Sequence, residues 1–111
     1  MVYSTDQINR ILQDYVNKTL VYAPDVEEVW LFGSYSNGTP NEESDIDLAV
    51  VSERFVKDLP QAMVDFYEAV WDANADVTIQ IHGFTHEEFA GSADVLAQEV
   101  KRTGKRVYPI Q

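Results

Sequence analysis

Ile8, Ile11, Leu12, Tyr15, Val16 and Leu20 recur at the spacing of one helix face, and Ser4 with Gln7 forms a capping box ahead of them. A helix is therefore predicted from Ser4 to about Tyr22, ended by the Pro24-Asp25 turn. Val26 to Phe32 reads as a first strand running into Gly33 to Pro40, a stretch too rich in Gly, Ser, Asn and Pro to be regular. Asp45 to Ser52 is a second strand, mostly apolar and so central in its sheet. Leu59, Met63, Phe66, Tyr67, Val70 and Trp71 mark a second amphipathic helix from about Lys57 to Asp72, with Trp30, Phe66, Tyr67 and Trp71 expected in the core. Asp76 to His82 alternates, with Val77, Ile79 and Ile81 on one face and Asp76, Thr78, Gln80 and His82 on the other, which predicts a third strand with one polar face. Thr85 to Glu88 is another capping box leading into Phe89, Ala93 to Thr103 reads as a helix stopped by Gly104, and Arg106 to Ile110 as a short edge strand. The order predicts one α+β domain spanning residues 1–111, a small mixed β-sheet with helices packed on one face.

Within this pattern one stretch departs from what packing alone would select. Asp45 and Asp47 stand in phase on the second strand, with Ile46, Leu48 and Val50 on the opposite face. Aspartate is depleted from strands, and two aligned carboxylates in a sheet interior call for a counter-charge, most simply a hard divalent cation such as Mg²⁺. The plainer alternative is a pair of solvated acids on an edge strand. Gly33-Ser34, just ahead, supplies a tight turn whose backbone can approach a phosphate and a hydroxyl that can bond one. By itself that dipeptide is only a turn; with the paired aspartates it forms a metal-nucleotide pattern.

Charge and composition narrow the partners. Eight basic residues against nineteen acidic ones give a net charge of −11, which argues against a long nucleic acid because phosphate binding rests on Lys and Arg. An acidic surface suits a cationic acceptor, and a homodimer is a further expected arrangement. No apolar run approaches the roughly 20 residues of a membrane span. The start of the chain lacks the pattern of a secretory signal, and zero cysteines fit a cytoplasmic location. Lys101, Arg102, Lys105 and Arg106 cluster near the C-terminus; the reading that needs least is a helix end whose dipole favours cations, the other a contact with a triphosphate or an acidic partner. His82 and His86 are four apart, but Gly83 intervenes and no cysteine is at hand, so zinc is not expected; His82 shares the polar strand face and is placed to line a pocket.

Leu31-Phe32-Gly33-Ser34-Tyr35-Ser36-Asn37-Gly38 followed by Ser44-Asp45-Ile46-Asp47-Leu48-Ala49-Val50 resembles the signature of the nucleotidyltransferase superfamily, which includes DNA polymerase beta, and the small size points to its minimal nucleotidyltransferase branch. The likeness extends weakly through Gly83-Phe84-Thr85 and Glu87-Glu88-Phe89 to Lys101-Arg102-Thr103-Gly104 and Tyr108. It implies transfer of a nucleoside monophosphate, AMP from ATP being the expected case, to a hydroxyl of a protein or small molecule. It also implies a nucleotidyltransferase fold, two Mg²⁺ ions held by Asp45, Asp47 and a third acid, and Gly33 and Ser34 on the triphosphate. The third strand offers Asp76 at its start and Gln80 four residues on; Asp76 completes a carboxylate triad, whereas Gln80 in that place would leave an amide and impair catalysis. Where many relatives have arginines after Gly-Ser, this chain has Tyr35 and Asn37, which leaves Arg54 or the C-terminal cluster to meet substrate charge. In this branch the acceptor is often a separate helical HEPN-type protein, so the resemblance suggests an antitoxin that adenylylates or masks a partner. The alternative is a catalytically impaired module of the same fold that binds a nucleotide or masks its partner. Antibiotic modification is a third reading, but the chain is too short to enclose an aminoglycoside pocket alone.

Overall fold

The computed structural model describes residues 3–38, 40, 45–73 and 78–110. Ten elements follow in order: α1 Thr5–Tyr22, β1 Glu28–Phe32, α2 Ser34–Asn37, β2 Ile46–Val51, α3 Arg54–Lys57, α4 Leu59–Ala73, β3 Ile79–Phe84, α5 His86–Ala90, α6 Val95–Thr103 and β4 Lys105–Tyr108. The strands form one mixed sheet in the order β3-β2-β1-β4. β1 runs antiparallel to β2 and β4, while β2 and β3 are parallel, joined by the α3–α4 crossover. Among the described residues no helix is long and apolar enough to cross a membrane.

Local chemistry explains most element boundaries. At the start of α1 the Ser4 hydroxyl accepts from the Gln7 N–H at 3.2 Å, and Gln7 accepts the Ser4 N–H at 2.7 Å, satisfying donors the helix leaves open. Thr85 and Glu88 repeat that exchange at α5, and Asp94 caps α6 through the Ala97 N–H at 3.0 Å. The segment expected to be irregular contains a single helical turn, α2, bracketed by Gly33 at φ +78° and Gly38 at φ +76°. Arg54 to Lys57 forms a second short turn ahead of α4, where apolar spacing alone carries no signal.

Strand alternation divides the core in two. Val29, Leu31, Ile46, Leu48, Val50, Ile79 and Ile81 face α1 and α4, which supply Ile8, Leu12, Tyr15, Ala62, Phe66 and Ala69. The expected one-sided packing holds for these two long helices. Phe32, Ala49, Val51 and Phe84 point the other way and are covered by Phe89 of α5 and by Ala97 and Val100 of α6. That smaller cluster covers only part of its face and leaves the start of β2 open.

Phe66 is fully buried and stacks on Phe55, but Tyr67 is 39% and Trp71 73% exposed, against their expected place in the core. Successive helix residues are about 100° apart, so a face centred on Ala62, Phe66 and Ala69 turns Trp71 about 140° from Phe66. Tyr67 instead serves the sheet edge, where its hydroxyl accepts the Ile81 N–H at 3.2 Å on the side of β3 away from β2. Trp30 is half-buried against Phe89 and donates to Glu28 at 2.9 Å.

Tyr15 has no exposed surface, and burial pushes its phenol pKa well above the ordinary 10.0, a rise that the neighbouring Thr19 hydroxyl partly offsets. A proton held more tightly in the folded state stabilises the fold fully below the unfolded pKa, and that contribution is lost as pH climbs beyond it. The unfolding free energy from urea titrations should therefore stay level with respect to Tyr15 up to about pH 10, then fall by as much as about 1.4 kcal/mol per pH unit. Tyr15→Phe should remove that share of the alkaline loss; an unchanged alkaline limb in the variant would refute the assignment.

Candidate functional site

The site is built where β2 begins. β2 alternation sends Ile46, Leu48 and Val50 into the larger core and turns Asp45 and Asp47 to the opposite face, as the sequence requires. Parallel pairing sets Asp47 beside Gln80 and Ala49 beside His82. Gln80 donates through Nε2 to Asp45 Oδ2 at 2.9 Å, and His82 Nε2 lies 3.5 Å from Asp47 Oδ1. The Asp47 and His82 side chains are 28% and 34% exposed, so the pair is half-buried, with His82 Nε2 itself buried. Phe32 sets its ring edge-on to His82 at 5.0 Å between centroids.

The turn after β1 closes on the same carboxylate. Gly33 adopts φ +78° and ψ −152°, a region open essentially to glycine alone. A Cβ there would sit 2.6 Å from Asp47 Oδ2. The missing side chain thus allows the turn, and Ser34 after it, to approach the paired acids. Ser36 anchors the turn from behind, its hydroxyl donating to the Thr103 carbonyl at 2.8 Å.

Gly33, Ser34, Asp45 and Asp47 are therefore assembled at one end of the sheet, with Gln80 and His82 as neighbours. Asp76 lies outside the described residues. Alternation along the chain puts Gln80 and His82 on a polar face but says nothing of the register that presses them on Asp45 and Asp47. Interstrand register is a tertiary property, and the signal that could have revealed it is parallel pairing of the runs Ile46 to Val51 and Ile79 to Phe84.

Arg54, Lys101 and Arg102 are engaged elsewhere. Arg54 follows β2, beyond the strand end opposite the aspartates, and is held by Asp25 at 2.8 Å and Asp65 at 2.7 Å. Lys101 donates to the Gly91 carbonyl and lies over the Phe89 ring, and Arg102 pairs with Glu99. Both occupy the last turn of α6, the arrangement expected of a helix end. His86 contacts Glu27 at 2.8 Å, apart from His82. Arg54→Ala should leave ATP affinity within about twofold while costing up to about 1 kcal/mol of stability, the scale of partly exposed ion pairs. Nucleotide titration and urea unfolding on the same variant check both halves; a large loss of ATP affinity would return Arg54 to the site.

The donor set fits a divalent cation. Two carboxylates share one face with an amide and an imidazole as their polar neighbours, and Mg²⁺ is commonly held by one or two carboxylates together with substrate phosphates. Among the described residues no three Asp, Glu, His or Cys side chains converge as a complete metal cage.

Known proteins bear on this arrangement. Protein adenylyltransferase MntA of Shewanella oneidensis is 25% identical over 107 residues, which cover 96% of this chain and 66% of that protein. A Methanocaldococcus jannaschii protein named as a candidate protein adenylyltransferase is 35% identical over 66 residues, covering 59% of this chain and 42% of that one. The chain thus spans less than two-thirds of either relative. A chain of a toxin–antitoxin crystal structure with AMP-PNP superposes at a TM-score of 0.63 and 27% identity, covering 89% of this chain and 74% of that one. Residues 7–104 match the nucleotidyltransferase domain family, and since they take in the whole Gly33–Asp47 site and strands β1 to β3, the chain belongs to that family.

Proposed function

We propose that this chain transfers AMP from ATP to a hydroxyl of a partner protein, a HEPN-type helical protein being the expected acceptor, and so acts as the antitoxin of a two-protein pair. The observation that carries this reading is the close approach of the Gly33 turn to Asp47, which sets a glycine-opened turn against two aligned carboxylates. The nucleotide and the paired arrangement follow the relatives, one named a protein adenylyltransferase and one crystallised as a toxin–antitoxin with AMP-PNP.

In this reading Gly33 and Ser34 receive the triphosphate through backbone N–H groups and the Ser34 hydroxyl. Asp45 and Asp47 are the residues that hold Mg²⁺, and Asp76 remains the acid that would complete a triad. Mg²⁺, when bound, neutralises the triphosphate and acidifies the acceptor hydroxyl. The acceptor oxygen attacks the α-phosphorus, the bond from that phosphorus to the bridging oxygen breaks, and pyrophosphate leaves. The hydroxyl proton passes to water. Gln80 and the half-buried face around Asp45 fix the carboxylates before substrate arrives, so little reorganisation is needed in the reaction.

A second reading is favoured by one observation. Gln80, an amide, stands beside Asp47 at the place where a further carboxylate would be most useful. A domain so altered could mask its partner without modifying it. Incubation with Mg²⁺, labelled ATP and a HEPN-type candidate partner separates the two. Label on the partner supports transfer; no label with any nucleoside triphosphate, together with undiminished masking, supports the module.

A further inference from the structure

We propose that His82 is the positioning residue of Asp47: its buried Nε2–H closes on Asp47 Oδ1 when a divalent cation binds, and so leaves Oδ2 to the cation and the Gly33 turn. The inference rests on the reading of Asp45 and Asp47 as the metal-bearing pair of nucleotidyl transfer, and it holds whichever further ligand completes that site. Two side chains of β3 reach across to β2 with the same offset. Gln80 is in register with Asp47 and bonds Asp45, two residues earlier, at 2.9 Å. His82 is in register with Ala49 and turns Nε2 toward Asp47, again two residues earlier, at 3.5 Å. The first contact is a made hydrogen bond. The second exceeds the about 2.7–3.2 Å of an N–H···O bond.

The unmade bond has a defined donor and acceptor. His82 Nε2 is buried without a hydrogen-bond partner, which costs stability as long as it lasts. A carboxylate only accepts, so it selects the tautomer with hydrogen on Nε2, and the charged ring carries that hydrogen as well. The contact therefore does not depend on His82 titrating. Phe32 stands edge-on to the imidazole at 5.0 Å between centroids and holds the ring in place, so closure falls to the carboxylate. Rotation about the bond to a carboxyl group is soft, and Asp47 can make that movement. Its other oxygen, Oδ2, lies against the Gly33 turn, 2.6 Å from where a Cβ would sit. A cation on Oδ2 orders the carboxyl group, so that Nε2 reaches Oδ1 at little further cost. By linkage the N–H then strengthens the hold on a cation it never touches.

Mn²⁺ titration of the full chain with a non-hydrolysable ATP analogue, free Mn²⁺ being counted by electron paramagnetic resonance, tests this without a catalytic readout. His82→Phe keeps a ring against Phe32 and removes the N–H. Its Mn²⁺ affinity should fall about 10- to 100-fold, while its melting temperature stays level or rises. His82→Gln, whose amide N–H₂ stands where Nε2 does, should bring the affinity back to within about threefold of native. His82→Asn, whose amide stands at the Nδ1 position and falls short of Asp47, should not. If His82→Phe does not fold, the contrast between His82→Asn and His82→Gln decides. Native Mn²⁺ affinity in folded His82→Phe or His82→Asn, no recovery in folded His82→Gln, or no ion on the native chain would each overturn the proposal. So would a spin-echo signal from a directly bound nitrogen that His82→Phe abolishes, because His82 would then be a ligand. Unchanged Mn²⁺ affinity in the variants beside AMP transfer by the native chain would sink this inference and spare the function; the expected losses without transfer to any acceptor would do the reverse.

Discussion

The double variant Asp45→Asn, Asp47→Asn is expected to lose AMP transfer by about a thousandfold while keeping its fold. Both substitutions are nearly isosteric, and an Asn at position 45 can still accept the Gln80 N–H through its carbonyl. What disappears is the pair of negative charges, and with it the means of holding a cation against the triphosphate. Losing one preorganised electrostatic group at a reacting phosphate or carbonyl typically costs about 10²- to 10³-fold, and because residues acting as a unit are not additive, removing the pair is expected to fall at the upper end of that range. Stability should move the other way. The two like charges share one face of β2 with no cation among their described contacts, so their removal should leave the melting temperature equal or higher. Label transfer and thermal melting on the same preparation check both parts. Transfer within tenfold of the native rate would show that the pair is not the metal site, and unfolding would show that the acids are structural.

Features set by local chemistry were legible in the chain, and those set by long-range pairing were not. The α1 boundaries were readable because its cap and stripe are local, and the phase of Asp45 and Asp47 because alternation along a strand is a property of the strand alone. The Gly33–Asp47 contact was readable only as a motif: composition could not say that the glycine's missing Cβ makes room for that carboxylate. Gln80 was placed on a polar face, yet its contact with Asp45 depends on the offset between two strands separated by the α3–α4 crossover. Arg54 had the charge to meet a phosphate, but Asp25 and Asp65, twenty-nine and eleven residues away, take its guanidinium. Trp71 fits an apolar spacing, and only the direction from which the sheet meets α4 shows that it lies outside the buried face.

Gly33→Ala should be far more damaging than the same change at Gly38, although both glycines have positive φ. Gly38, at φ +76° and ψ 20°, is in the left-handed helical region and has nothing within 4 Å of a built Cβ. Alanine there costs about 1 kcal/mol and should leave transfer untouched. Gly33 is in the region at ψ −152° that side chains do not tolerate, with strain of about 1–3 kcal/mol, and its Cβ would meet Asp47 Oδ2 at 2.6 Å. Two relaxations are available. The carboxylate, the free end of a side chain, can swing away, or the turn can back off and carry Ser34 with it. Either displaces one half of the site from the other, and misplacement by about 1 Å costs on the order of 10²-fold in rate. Gly33→Ala is therefore expected to lose about a hundredfold or more in kcat/KM for ATP, with a stability loss of only a few kcal/mol measured by urea unfolding. If Gly33→Ala and Gly38→Ala lowered transfer equally, the loss would come from backbone strain in α2, and the contact between the turn and Asp47 would have no part in the reaction.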